Sequence, residues 1–151
     1  MLVNRNINVC LVSDLFENYP LSENTIVVVV DLLRATTVIS TAFNFGVKEI
    51  IPVSSLEIAK RYIDKQDYIV AAERNAMPIE GFDYGNSPFQ YMNKEILDKS
   101  LVLTTTNGTK AINIASEYEV ITSCFINIDA VEELLLKSKK DILILCSGWK
   151  G

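Results

Sequence analysis

The sequence predicts an α/β fold: a mostly parallel sheet built from repeated βα units and covered by helices on both faces, a three-layer α/β/α arrangement. Three observations carry this expectation. Short runs rich in β-branched residues alternate with helical patterns along the chain. One of them, Thr25–Val30, is a continuous β-branched run, the mark of a strand buried on both faces. The composition, 49% apolar and 22% charged over 151 residues, is that of a globular chain. Such a length suits one domain, here 1–151, and buries about two thirds of its unfolded surface without staples.

Taken in order, Ile7–Val12 reads as a strand and Thr25–Val30 as the next. Ala35–Phe45 has helical periodicity and ends at Gly46, a residue suited to the left-handed position after a helix. Lys48–Val53 is a strand. Ser54 and Glu57 fit a capping box that opens a helix running to about Lys65. Tyr68–Ala72 is a strand. The stretch 75–88, with Pro78, Gly81, Gly85 and Pro88, breaks the rhythm and reads as a long loop of functional type, a candidate lid. Ser100–Thr105 is a strand, Thr109–Tyr118 a helix and Glu119–Ser123 a strand. Asp129 and Glu132 fit a second capping box for a helix to about Lys139, and Asp141–Cys146 is the last strand. The segment 147–151 then leaves a strand end that should feed a helix open, as a truncated chain would.

Composition also excludes chemistries. The net charge of −5 and the scattered lysines and arginines leave no basic footprint for nucleic acid or an anionic membrane. There is no charged, apolar signal segment, and the longest apolar run, Ile26–Val30, is far too short to span a bilayer. Cys10, Cys124 and Cys146 are too widely spaced for CxxC chemistry and read as buried, reduced thiols of a cytoplasmic protein. The chain has no histidine, which removes phosphohistidine enzymes, histidine-rich two-metal sites and Ser-His-Asp triads. Leu33 stands where an Asp-x-Asp phosphatase would need its second acid. A Cys-x5-Arg loop starting at Cys146 would need its arginine beyond residue 151.

In a parallel α/β sheet, ligands bind past the carboxyl ends of the strands. Asp31 and Arg34 follow the Thr25–Val30 run, with Thr36 and Thr37 opening the next helix, whose free N–H groups favour an anion. Alone, this reads equally as an Asp–Arg pair with a threonine cap. Glu73 and Arg74 follow another apolar strand. Adjacent strand residues point to opposite faces, so each needs a different partner, unless both are simply solvated. Thr104-Thr105-Thr106-Asn107-Gly108-Thr109 crowds hydroxyls and an amide at a strand-to-helix junction. Asn-Gly favours positive φ, which would turn successive N–H groups inward as an anion nest. A tight turn with a threonine cap is the plainer reading. A P-loop is excluded by the spacing. Asp31 and Glu73 could share a hard cation such as Mg²⁺.

Together, VVVVDLLRATTVISTAFNFG, ERNAMPIEGFDYGNSP, LVLTTTNGTKAI and SCFINIDAV resemble, in order and spacing, the 2-phosphosulfolactate phosphatase (ComB-like) family, from Thr25 to Gly151. The resemblance implies a Mg²⁺-dependent phosphoric monoester hydrolase of α/β/α fold. It would convert 2-phosphosulfolactate to 3-sulfolactate and phosphate, as in coenzyme M biosynthesis, or act on a related phosphorylated hydroxy acid; a non-catalytic anion-binding module is the alternative. Carried onto this chain, Asp31, Arg34, Glu73 and Arg74 are the catalytic candidates, with Asp31 and Glu73 holding the metal. Thr36, Thr37, Asn86, Ser87, Thr105, Thr106, Asn107, Gly108, Thr109 and Asn127 are the anion-binding candidates. The attacking group, water or the Asp31 carboxylate, is left open. The implied partner is a small anionic phosphorylated substrate, with a homodimer allowed. Members of the family extend further at the carboxyl end, with another acidic segment there, and usually carry glycine where this chain has Ala72.

Overall fold

The computed structural model describes residues 5–149. The strands are β1 (Ile7–Cys10), β2 (Thr25–Val30), β3 (Glu49–Pro52), β4 (Tyr68–Arg74), β5 (Met77–Pro78), β6 (Ser100–Thr104), β7 (Glu119–Ser123) and β8 (Asp141–Cys146). The helices are α1 (Ala35–Asn44), α2 (Leu56–Lys60), α3 (Gly108–Ile114) and α4 (Ile128–Lys137), with 3₁₀ turns at Ser13–Asn18 and Pro88–Tyr91. None of the helices described is long and apolar enough to cross a membrane.

The α/β class and the parallel pairing hold, but the strands form two sheets, ordered β1-β8-β2-β7 and β3-β6-β4-β5. Every pairing is parallel except that of β4 with β5. Side-chain alternation shows how the layers stack. Val27 and Val29 of β2 pack with Ala111 and Ala115 of α3, whereas Ile26 and Val28 pack with Val131 and Leu135 of α4. In the second sheet, Ile69, Leu101 and Leu103 meet Val38, Ile39 and Ala42 of α1, while Val70 and Val102 meet Ala59 of α2. Each sheet is therefore the middle of an α/β/α sandwich, and the two sandwiches share the α1/α3 layer. Ile112 of α3 touches both inner clusters.

Local signals explain the boundaries. Gly46 takes φ +92° after α1, as expected of a residue ending a helix in the left-handed region. The N-cap of α2 sits one residue later than the sequence pattern placed it, and Ile58 at the third helical position leaves no capping box. Ser55, not Ser54, is the N-cap, its hydroxyl accepting from the Ile58 N–H at 3.3 Å. Ser55→Ala is expected to lower stability by about 1 kcal/mol and Ser54→Ala to leave it unchanged, as read by urea denaturation. Likewise α4 starts at Ile128, which puts Asp129 inside its first turn and not at its cap.

The long stretch 75–88 is anchored along its second half. The Asp83 carboxylate accepts from the Val70 N–H at 2.9 Å, and Tyr84 bridges to Ala71 in parallel register. The Tyr84 ring stacks on that of Tyr91 at 5.2 Å, and the buried Tyr91 hydroxyl donates to the Gly85 carbonyl at 2.7 Å. The segment thus closes the open edge of β4, giving its backbone groups partners that an exposed edge would lack.

Candidate active site

The carboxyl ends of strands from both sheets deliver the polar groups to one place. Asp31 leaves β2 and Ser147 leaves β8, while Glu73 and Arg74 are the last residues of β4 and Thr104 ends β6. Glu73 and Arg74 belong to the strand, not to the loop after it, because β5 turns back and pairs with them. Asn75 and Ala76, at φ +54° and +63°, make that two-residue turn.

The turn between β2 and α1 is built by its own side chains. The Thr36 hydroxyl donates to the Asp31 carbonyl at 2.8 Å and accepts from the Asp31 N–H at 3.1 Å. Thr37 Oγ1 donates to the Leu32 carbonyl at 3.0 Å. Both threonines thus fix the loop that carries Asp31 and Arg34, and Thr36 is fully buried beneath it. The Ala35 and Gly108 N–H groups and the Ser147 hydroxyl lie close enough to the Asp31 carboxylate to favour its charged form. Burial, and then the charge of Glu73, still raise its pKa above the ordinary value near 3.8. The two acids are therefore electrostatic neighbours.

Glu73 is 5% exposed. Its Oε1 accepts from the Ala76 N–H and, at 3.1 Å, from the Thr106 hydroxyl; its Oε2 accepts from the Thr106 N–H at 3.3 Å. The Thr106 hydroxyl also accepts from the Asn75 N–H at 3.1 Å. Arg74 Nη2 donates to Thr104 Oγ1 at 2.9 Å, and Arg34 Nη2 donates to the Ala76 carbonyl at 3.3 Å. Among the described residues, neither arginine is in an ion pair. The Asp31–Arg34 pair that the sequence allowed is thus not formed.

The donor-rich turn departs from expectation in its backbone. Asn107 has φ −118°, and Gly108 is not among the glycines of positive φ, so the turn is no left-handed nest. Glycine serves a different need here. A Cβ on Gly108 would lie 2.4 Å from the Ala35 Cβ and 2.5 Å from Asp31 Oδ2. The start of α3 therefore touches Asp31 directly. Thr105 and Thr109 lock the turn from inside: the Thr105 N–H donates to Thr109 Oγ1 at 2.9 Å and the Thr109 N–H to Thr105 Oγ1 at 3.1 Å. Both are buried, while Thr106 and Asn107 stand half-exposed at the rim.

The remaining candidates have local partners or none. Asn127 bonds within its own turn, its Oδ1 accepting from the Cys124 N–H at 2.8 Å and its Nδ2 donating to the Thr122 carbonyl at 3.0 Å. Asn86 is 7% exposed and its Oδ1 has no partner, while the Ser87 carbonyl caps the Pro88–Tyr91 turn by accepting from the Gln90 N–H. Ser147 is the residue that sequence reasoning passed over. Its signal was positional: it is the first residue past a buried strand, and the Val30–Cys146 register sets it beside Asp31.

These features define an α/β protein that gathers a buried and a half-buried acid, two arginines and a donor-rich turn at the carboxyl ends of parallel strands. The chain belongs to the 2-phosphosulfolactate phosphatase family: the model of 2-phosphosulpholactate phosphatase matches residues 10–151. A relative from Caldanaerobacter subterraneus subsp. tengcongensis, named a probable 2-phosphosulfolactate phosphatase, is 46% identical over 129 residues, covering 83% of this chain and 54% of the relative. Proteins of the same name from Thermotoga maritima and Clostridium tetani are 45% and 40% identical, covering 82% and 97% of this chain and 54% and 64% of their own lengths. The chain thus spans little more than half the length of most of the curated relatives it matches.

Proposed function

We propose that the protein is a Mg²⁺-dependent phosphoric monoester hydrolase that releases phosphate from 2-phosphosulfolactate, as in coenzyme M biosynthesis, or from a closely related phosphorylated hydroxy acid. The observation that carries this reading is the meeting of two carboxylates, the half-buried Asp31 and the buried Glu73, beside two arginines that form no ion pair among the described residues. Two like charges out of water call for a cation. Mg²⁺ takes hard oxygen ligands and binds through one or two carboxylates while keeping several waters. Asp31 and Glu73 would be its protein ligands here, and no third histidine, cysteine or acid joins them among the described residues. When bound, the ion would offset the charge of the phosphoryl group.

The chain's own groups do the rest. Arg34 and Arg74 grip the anionic ends of the substrate through forked, charge-assisted bonds. Thr106 and Asn107, at the rim, face the equatorial phosphoryl oxygens as neutral donors. With Asp31 held as a ligand of the cation, water is the attacking group in this reading. Water adds to phosphorus, the bond from phosphorus to the substrate's C2 oxygen breaks, and that oxygen takes up a proton. A cytoplasmic setting accords with the three free cysteines.

The test is phosphate release from 2-phosphosulfolactate with and without Mg²⁺. Metal-dependent release is the expected result. Binding of substrate without release would favour the non-catalytic anion-binding reading. Arg34→Lys keeps the charge and loses the fork, and is expected to cost about 1.5–3 kcal/mol of transition-state binding, the range for hydrogen bonds to charged groups. Unchanged kcat/KM in that variant would remove Arg34 from the site.

A further inference from the structure

Arg74 leaves its strand on the face opposite to Glu73. Val70 and Val102 pack against α2, and the β4–β6 register pairs Val70 with Val102 and Ala72 with Thr104. By strand alternation, Thr104 and Arg74 face the same α2 layer. Glu73, like Ala71, faces the shared α1/α3 layer, where Asp31 meets Gly108. Alternation alone would therefore carry the Arg74 guanidinium away from both acids. Two bonds bring it back to the strand ends. Nη2 donates to Thr104 Oγ1 at 2.9 Å, and Nη1 donates to the Glu73 carbonyl at 2.6 Å. The Ala72 N–H donates to the Tyr84 carbonyl on the opposite edge of β4, so the Glu73 carbonyl faces β6. The guanidinium thus lies in the seam between β4 and β6, where Thr104 leads into the donor-rich turn.

We infer that Thr104 is a positioning residue: it holds the Arg74 guanidinium at the mouth of the site before an anion arrives. Thr104 is fully buried. Among the described residues, its hydroxyl bonds to no group but Arg74. A buried hydroxyl costs free energy unless it is bonded, and valine would fill nearly the same shape in a strand without that cost. The hydroxyl therefore serves the arginine and not the packing. Of the five guanidinium N–H groups, two are committed, and three remain for a forked bond to an oxyanion. A guanidinium already held loses less freedom when the anion binds. That the anion is a phosphate monoester rests on the function proposed above; the holding of Arg74 does not.

The test compares Thr104→Val, which keeps the branched shape, with Thr104→Ser, which keeps the hydroxyl. Binding of inorganic phosphate is measured by calorimetry, and kcat/KM on 2-phosphosulfolactate by phosphate release. The guanidinium N–H resonances of Arg74 are followed by NMR in the phosphate-free protein and assigned by their loss in Arg74→Lys. Thr104→Val is expected to weaken phosphate binding and lower kcat/KM about tenfold each, the low end for a hydrogen bond to a charged group. It should also merge the resolved guanidinium resonances while keeping the wild-type circular dichroism spectrum. Thr104→Ser should stay close to the wild type in binding, rate and resonances. Wild-type phosphate binding in the valine variant overturns the inference, as do guanidinium resonances that this variant leaves unchanged. A serine variant as impaired as the valine variant also overturns it, because packing and not the hydroxyl then sets the site. Phosphate binding that follows the hydroxyl, with no hydrolysis by any form, fails the hydrolase reading and leaves the role of Thr104 intact. No phosphate binding by the wild type overturns both.

Discussion

Gly108→Ala is expected to destroy activity while leaving a folded protein that has lost about 1–3 kcal/mol of stability, the range for overpacking a close-packed site. The backbone at Gly108 needs no special φ, so the cost is one of space. The new methyl would meet the Ala35 Cβ at 2.4 Å and Asp31 Oδ2 at 2.5 Å. Ala35 is fully buried at the start of α1 and has no rotamer to change, so Asp31 or the first turn of α3 must move. Either shift separates Asp31 from the Gly108 N–H and draws it away from Glu73. A misplacement on the order of 1 Å at a catalytic group is worth about 10²-fold in rate. Gly81→Ala is the contrasting control. Nothing lies within 4 Å of its Cβ, but its φ is +84°, so it loses stability through backbone strain and keeps activity. The double variant Ala35→Gly with Gly108→Ala should regain part of the stability and none of the activity, because the contact with Asp31 remains. Thermal melts and phosphate release, measured side by side, check all three.

Much of this geometry could be read from the amino-acid order, and the failures have identifiable causes. Thr25–Val30, Glu119–Ser123 and Asp141–Cys146 are bounded correctly because each joins β-branched or aliphatic residues to a polar one at its edge. That Asp31 and Glu73 would meet followed from one general rule, that polar residues past parallel strand ends share a face of the sheet. The rule does not reveal which strands pair. Every βα unit has the same local pattern, and the division into two sheets depends on contacts between residues far apart in sequence, such as Val30 with Cys146. Ser147 escaped notice for the same reason, since only the pairing of β8 with β2 brings it to Asp31. The Asn-Gly turn misled because glycine answers two needs, positive φ and close approach, and only coordinates tell them apart. Asn127 looked like a ligand because its segment follows a strand, yet its amide is consumed in holding its own turn.

Asp31→Asn should produce the other large effect, and its signature is a pairing of stability with metal response. Burial, then the Glu73 charge, raise the folded pKa of Asp31 above the ordinary value. The folded state therefore holds the proton more tightly than the unfolded chain. It follows that stability falls as pH rises from the ordinary carboxylate value through the raised one, and that the full penalty applies above it. The metal-free protein should melt higher as the pH is lowered through that window, until other groups intervene, and Asp31→Asn should flatten this part of the profile. On the proposed function, Mg²⁺ at neutral pH should relieve the same repulsion by binding only the folded site. At about a hundredfold its dissociation constant it adds about 2.7 kcal/mol, which for a domain of this size is a rise of roughly 5–10 °C in Tm. Asparagine keeps the shape but removes one ligand charge, so the Mg²⁺ shift should vanish and phosphate release fall by about 10²–10³-fold, the scale for removing a primary electrostatic contact. Should the variant keep both the Mg²⁺ shift and the wild-type pH profile of melting, the cation is held elsewhere, and the repulsion between Asp31 and Glu73 is not what the metal relieves.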